Sequence, residues 1–169
     1  MEDWHEARQY RKGDDLEVVC SLCSHRCHIN DGKHGICGVR VNRNGVLYAT
    51  TFGRVSAEAI DPIEKKPLYH YLPGTLSYSL GSVGCNFRCE HCQNWHISRQ
   101  GYETILADLP PQEGVQRARS AQCASISWTY NEPTIWHEYP LEMGLLAKQQ
   151  GLGTVYVTNG YITEEALRE

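Results

Sequence analysis

"LSYSLGSVGCNFRCEHC", residues 76–92, runs from a strand-like stretch directly into three closely spaced cysteines, Cys85, Cys89 and Cys92. A tetrahedral zinc site or an ordinary iron–sulfur cluster takes four thiolate or imidazole ligands. This loop offers three thiolates. They can hold three irons of a [4Fe-4S] cluster and leave the fourth iron open, just as an open position separates catalytic from structural zinc. The C-x3-C-x2-C spacing wraps one loop around one cluster, and Gly84 immediately before it lets the backbone approach a neighbour closely.

Downstream the pattern repeats as strand then helix. A helix is expected near Pro111–Gln122, a strand at "ASISWTY" (124–130), a helix near Ile135–Gln150, a strand at "TVYVTNG" (154–160) and a last helix at "TEEALRE" (163–169). Three βα units imply a parallel sheet, and such sheets carry their sites at the carboxyl ends of the strands. Here each strand end is chemically loaded: the first with the cysteines, the second with "TYNEPT" (129–134), the third with "TNGY" (158–161). Pro133 biases Glu132 toward an extended conformation at the mouth of the second strand.

Upstream lies a second cysteine group, "CSLCSHRCHINDGKHGICG" (20–38), with Cys20, Cys23, Cys27 and Cys37 separated by Gly, Asn and Asp turn signals. Four thiolates in a turn-rich loop satisfy a structural zinc ion, with an auxiliary iron–sulfur cluster as the alternative. His25, His28 and His34 lie among them and read as solvated loop residues. "VRVNRNGVLYATTFG" (39–53) alternates on both sides of Asn44-Gly45, the strongest short hairpin signal. "DPIEKKPLYHYLPGT" (61–75) carries Pro62, Pro67 and Pro73 and reads as an ordered linker. The expected organisation is therefore a Cys-rich knuckle, hairpin and linker over 1–75, followed by a βα region over 76–169. Cys123, directly before the second strand, reads as a buried apolar residue.

The chain has 169 residues with 41% hydrophobic composition, enough for a core. Its 16 Lys and Arg against 20 Asp and Glu are spread without like-charge runs, which disfavours nucleic acid as a partner. No segment reads as a signal peptide or membrane span. Eight cysteines in what reads as a cytoplasmic protein point to metal binding or catalysis rather than disulfides.

The cysteine loop resembles the signature of radical S-adenosylmethionine (SAM) enzymes, C-x3-C-x-Φ-C, with His91 at the aromatic position Φ. The resemblance implies that SAM chelates the open iron and is cleaved to methionine and a 5′-deoxyadenosyl radical for hydrogen abstraction. It also implies that Glu132 accepts the SAM amino group, and that Asn159 and Gly160 lie near the SAM ribose or methionyl moiety. "CSLCSHRC", "GICGVR", "PIEKKPLYHYLPG", "GCNFRCEHCQNWHIS", "TYNEPT" and "VTNGY", in this order, are similar to the AmmeMemoRadiSam-system radical SAM enzymes, relatives of the pyruvate formate-lyase activating enzymes. That resemblance implies a partial TIM-type (β/α)6 barrel, a flavodoxin or ferredoxin reductant, and Memo-like and AMMECR-like proteins as associates.

A TIM barrel uses about 30 residues per βα unit, so six units from Leu76 would need about 180, whereas 94 residues follow position 75. The expectation is an α/β barrel truncated after about three βα units, with the cluster loop and Glu132 retained. The competing functions are a glycyl-radical-enzyme activating enzyme and a non-catalytic zinc-binding interaction module.

Overall fold

The computed structural model describes residues 4–104 and 106–169. Its mixed α/β fold contains four small sheets. Chain order begins with β1 (His5–Glu6), β2 (Tyr10–Lys12), β3 (Val18–Cys20), β4 (His28–Ile29), β5 (Arg40–Arg43) and β6 (Val46–Ala49). It continues with β7 (Arg54–Val55), β8 (Ala57–Pro62), a 3-10 turn (Ile63–Lys65), β9 (Leu76–Gly81), α1 (Trp95–Ser98), β10 (Ala107–Asp108) and α2 (Pro111–Ser120). Then come β11 (Ser125–Trp128), a 3-10 turn (Pro133–Trp136), α3 (Glu138–Gln149), β12 (Gly153–Tyr156) and α4 (Glu164–Leu167).

Two antiparallel sheets, β1-β6-β5 and β2-β3-β4, frame the first cysteine group. Asn44 and Gly45 both have positive φ (54° and 75°) and connect paired Arg43 and Val46, the geometry of a type I′ hairpin turn. Strands β9, β11 and β12 are parallel neighbours, as the three βα units predict. Their order places β11 in the middle and β12 at one edge.

The linker expectation needs correction at its start. Ala57–Pro62 forms β8, pairing antiparallel along all of β9. Pro62 is tolerated because it ends an edge strand, where no ladder donor is required of it.

Alternation along β9 and β11 decides what each face meets. Tyr78, Leu80, Ile126 and Trp128 point to one core with Val115 and Ala118 of α2 and Tyr139, Met143 and Ala147 of α3. The intervening Ser77, Ser79, Ser125 and Ser127 are also fully buried, and the Ser77 and Ser127 hydroxyls share a 2.6 Å hydrogen bond. Trp128, Trp136 and Cys123 are thus core residues, whereas Trp95 is exposed.

A second core joins Val18, Cys20, Leu22, Ile29, Leu47 and Ala49 to Ala166 of α4. The buried Arg40 guanidinium of β5 also reaches Glu138 of α3 at 2.5 Å, while Glu138 accepts the Arg8 N–H at 2.9 Å. The two cysteine-bearing regions therefore share a sheet, a core and a buried ion pair. No helix among the described residues is long and apolar enough to cross a membrane.

Candidate cofactor site

The cysteine loop leaves β9 through a turn held from the neighbouring strand end. Asn131, in "TYNEPT", accepts the Ser82 N–H at 2.9 Å and donates to the Val83 and Gly84 carbonyls at 3.2 and 3.1 Å. These bonds are buried, so each replaces water that cannot reach the turn. Gly84 has φ +83°, and a Cβ there would lie 2.6 Å from the Cys37 carbonyl oxygen. The close approach expected of this glycine is thus made against the first cysteine group.

Cys89 is exposed, and Cys85 and Cys92 are half-buried. Burial pushes the Cys85 thiol up; the Phe87 N–H, 3.3 Å from its sulfur, acts the other way, and Glu132, Cys89 and Cys92 raise it further. The Cys85 thiol is thus disfavoured as a thiolate both by burial and by the negative groups around it. Ser98 lies 3.3 Å from the Cys92 sulfur. Arg99 donates to the Cys89 carbonyl at 3.1 Å, and Arg88 donates to the Ile36 carbonyl at 3.0 Å. Two guanidinium groups thus hold the loop and bring positive charge beside groups that must become thiolates to bind metal.

Glu132 is 4% exposed. Its Oε1 accepts from the Thr134 N–H (2.9 Å) and the Thr158 hydroxyl (2.5 Å), and its Oε2 accepts from the Asn159 N–H (2.7 Å). Asn159 Nδ2 then donates to Asn86 Oδ1 at 2.8 Å. This chain of bonds ties together the ends of β9, β11 and β12. A carboxylate has room for about four accepted bonds, so Glu132 keeps acceptor capacity beyond its three internal donors.

Asn159 and Gly160 are exposed beside this network, Gly160 with φ +72°, and His91 is exposed on the cysteine loop. Asn94 donates to the Tyr130 carbonyl at 2.7 Å and so links the loop to β11 a second time. Asn86, Asn131 and Thr158 are site residues that motif reading passes over, although each lies within three positions of a residue it selects. Their roles appear only when the strand ends are brought together.

Tyr130 has φ +71°, a conformation that costs a non-glycine residue on the order of 1–3 kcal/mol. Its hydroxyl donates to Asp61 Oδ2 at 3.2 Å, and Asp61 also accepts from Lys65 and Lys66 Nζ, each at 2.7 Å. Burial alone would raise the Asp61 carboxyl, but the two lysine hydrogen bonds outweigh it and hold the group well below the usual carboxylate range. A depressed native value means that the stabilisation is complete above the unfolded value of about 4 and is lost as pH falls through the native value. Urea unfolding between neutral pH and pH ~3 is expected to show a steeper acid loss in the wild type than in Asp61→Asn. The variant itself loses on the order of 2 kcal/mol at neutral pH. Parallel acid profiles would remove Asp61 from this role.

The donor set suits a cofactor with an open metal position: three thiols on one loop, basic groups holding that loop, and a buried carboxylate tied to it through Asn159 and Asn86. Among the described residues no three His, Cys, Asp or Glu side chains already stand at metal-ligand spacing. Closing either cysteine set around metal therefore requires movement of the thiols.

Residues 80–169 match the family model described as the radical SAM superfamily. The chain is 46% identical over 164 residues to an uncharacterized protein of Methanocaldococcus jannaschii, MJ0808, covering 96% of this chain and 49% of that protein. A second uncharacterized protein of the same organism, MJ0674, is 24% identical over 155 residues, covering 88% of this chain and 40% of that protein. The chain thus spans about half the length or less of the curated relatives it matches. No solved structure matches it.

Proposed function

The chain belongs to the radical SAM superfamily, and on that premise we propose that Cys85, Cys89 and Cys92 hold three irons of a [4Fe-4S] cluster whose fourth iron is left for SAM. When bound and reduced, such a cluster supplies the electron that splits SAM into methionine and a 5′-deoxyadenosyl radical, which abstracts hydrogen from a substrate. The observation that carries the reading is the convergence of the three strand ends, through the Asn86–Asn159 and Asn159–Glu132 hydrogen bonds.

In this reading the chain's own residues bind and orient. Glu132 offers its remaining acceptor position to the cationic amino group of SAM, a charge-assisted bond. Asn159 and Gly160 line the ribose or methionyl side, and His91 flanks the cluster from the loop. Asn131 and Gly84 hold the entry of the cysteine loop.

The three parallel βα units fit the first half of a (β/α)6 barrel. The order of the motifs from Cys20 to Tyr161 supports the AmmeMemoRadiSam-type assignment, with Memo-like and AMMECR-like proteins as associates. A one-electron donor of flavodoxin or ferredoxin type would reduce the cluster.

The test is iron, acid-labile sulfide and the paramagnetic spectrum of the reduced, anaerobically reconstituted protein with and without SAM. Iron and sulfide near four per chain and a SAM-dependent spectrum are expected. In Glu132→Gln the amide keeps an oxygen for Thr134 and Thr158, but it loses the charge and sets an NH2 against the Asn159 N–H that Oε2 accepted. Cluster content should persist while SAM affinity falls about tenfold or more. A spectrum indifferent to SAM in the wild type would sink the reading.

A further inference from the structure

The first cysteine group is built differently from the second, and the difference points to its ligand. Cys20, Cys23 and Cys37 are buried and Cys27 is half-buried. All four line one closed pocket, together with Arg40, Asn86 and His25. Its free volume is about 10 Å3. That is roughly the room of one water-sized sphere. A single metal ion asks only for the four thiols to close in on a space of this size, whereas a cube of four irons and four sulfides would need the surrounding walls to open.

Charge gives a second, independent indication. Arg40 is 1% exposed, and only its Nη2 is paired, with Glu138. Its Nε and Nη1, and Nδ2 of the buried Asn86, are buried donors that find no hydrogen-bond partner among the described residues. Orphaned buried donors are costly, and each such case calls for an acceptor. These three belong to two side chains that line the cysteine pocket. Neutral thiols are weak acceptors. Thiolates on a metal ion are anionic, and donors beside them satisfy both partners.

Of the three nearby histidines, His25 alone lines the pocket, and the four thiols already complete a tetrahedral set without it. His25 Nε2 donates to the Asn86 carbonyl at 2.8 Å, His34 Nδ1 to the Gly35 carbonyl at 2.9 Å, and His28 faces Glu17 at 2.9 Å from an exposed position.

We propose that Cys20, Cys23, Cys27 and Cys37 bind one zinc ion as four thiolates, and that Arg40 and Asn86 donate N–H···S hydrogen bonds to them. On binding, each of the four thiols releases its proton to solvent, four Zn–S bonds form, and no electron is transferred. Zinc with four thiolates carries two negative charges; Arg40 stays paired with Glu138, and what it adds to the site is its two remaining N–H donors. The proposal does not rest on the SAM-dependent reading of the second cysteine group.

Asn86 gives the ion a consequence for the neighbouring site. It follows Cys85 directly, lines the zinc pocket and accepts from Asn159. Its carbonyl also receives His25, whose ring stacks edge-on with Tyr161 at 5.0 Å between centroids. A closed zinc site would therefore position the start of the cluster loop.

The experiment uses the full chain and a variant with Cys85, Cys89 and Cys92 all changed to Ala. Metal content is measured by mass spectrometry, and cobalt(II) is substituted for the metal. One zinc per chain is expected in both proteins, with cobalt bands of a tetrahedral four-sulfur site. Each of Cys20→Ser, Cys23→Ser, Cys27→Ser and Cys37→Ser should lose that zinc, and Arg40→Met should bind it at least tenfold more weakly.

Iron and sulfide retained by the triple variant would overturn the proposal in favour of an auxiliary cluster. Metal-free protein, or zinc that survives the serine changes, would overturn it as well. Should the serine variants fail to fold, the cobalt spectrum of the wild type decides, because a mixed nitrogen and sulfur spectrum contradicts four thiolates.

Discussion

Changing Cys89 to Ala is expected to abolish the iron–sulfur cluster while leaving the fold intact. Two thiolates cannot hold a cluster that already lacks a fourth protein ligand, so iron and sulfide should fall from near four per chain to background after reconstitution. Cys89 is exposed and packs in neither core, and changes at such surface positions usually shift stability by less than about 0.5 kcal/mol. Circular dichroism and urea unfolding of the metal-free variant should therefore overlay the wild type, and zinc at Cys20, Cys23, Cys27 and Cys37 should be unaffected. A brown variant with full iron content would show that the loop is not the cluster site. Loss of fold together with iron would mean that Cys89 supports structure instead.

Gly84→Ala should do the reverse, damaging the fold first and the cluster through it. The residue sits at φ +83°, and an added Cβ would meet the Cys37 carbonyl oxygen at 2.6 Å and Val39 Cγ1 at 2.9 Å. The first neighbour is backbone, so it cannot rotate away. Left-handed strain costs about 1–3 kcal/mol and overpacking a similar amount, giving an expected loss on the order of 3 kcal/mol. Urea unfolding measures the loss, and iron and zinc analysis of the same sample measures its consequences. Because Gly84 presses the entry of one cysteine loop onto the other, both metals should bind less well. A stability change below about 0.5 kcal/mol would mean that the two loops do not meet as described.

The contrast between these residues shows what can be read along a chain. The three-thiol count, the spacing of Cys85, Cys89 and Cys92, the Asn44-Gly45 turn and the three βα units are local or periodic features. Their physics is decided within a few residues, by covalent reach, by turn stereochemistry and by side-chain alternation. The extended approach to Pro133 likewise leaves Glu132 at φ −87° and ψ 111°. The edge strand Ala57–Pro62 was hidden because Pro62 argues against a central strand and says little about an edge.

By itself, then, the sequence determined which chemistry is offered: three thiolates without a fourth on one loop, four on another, and a carboxylate and an amide at successive strand ends. Tertiary structure alone decided which of these groups meet. Arg40 and Glu138 are 98 residues apart, and Asn86 and Asn159 are 73 apart. Such pairs carry no spacing signal, because their hydrogen bonds form only after the sheet has brought distant segments together and burial has removed water as the competing partner.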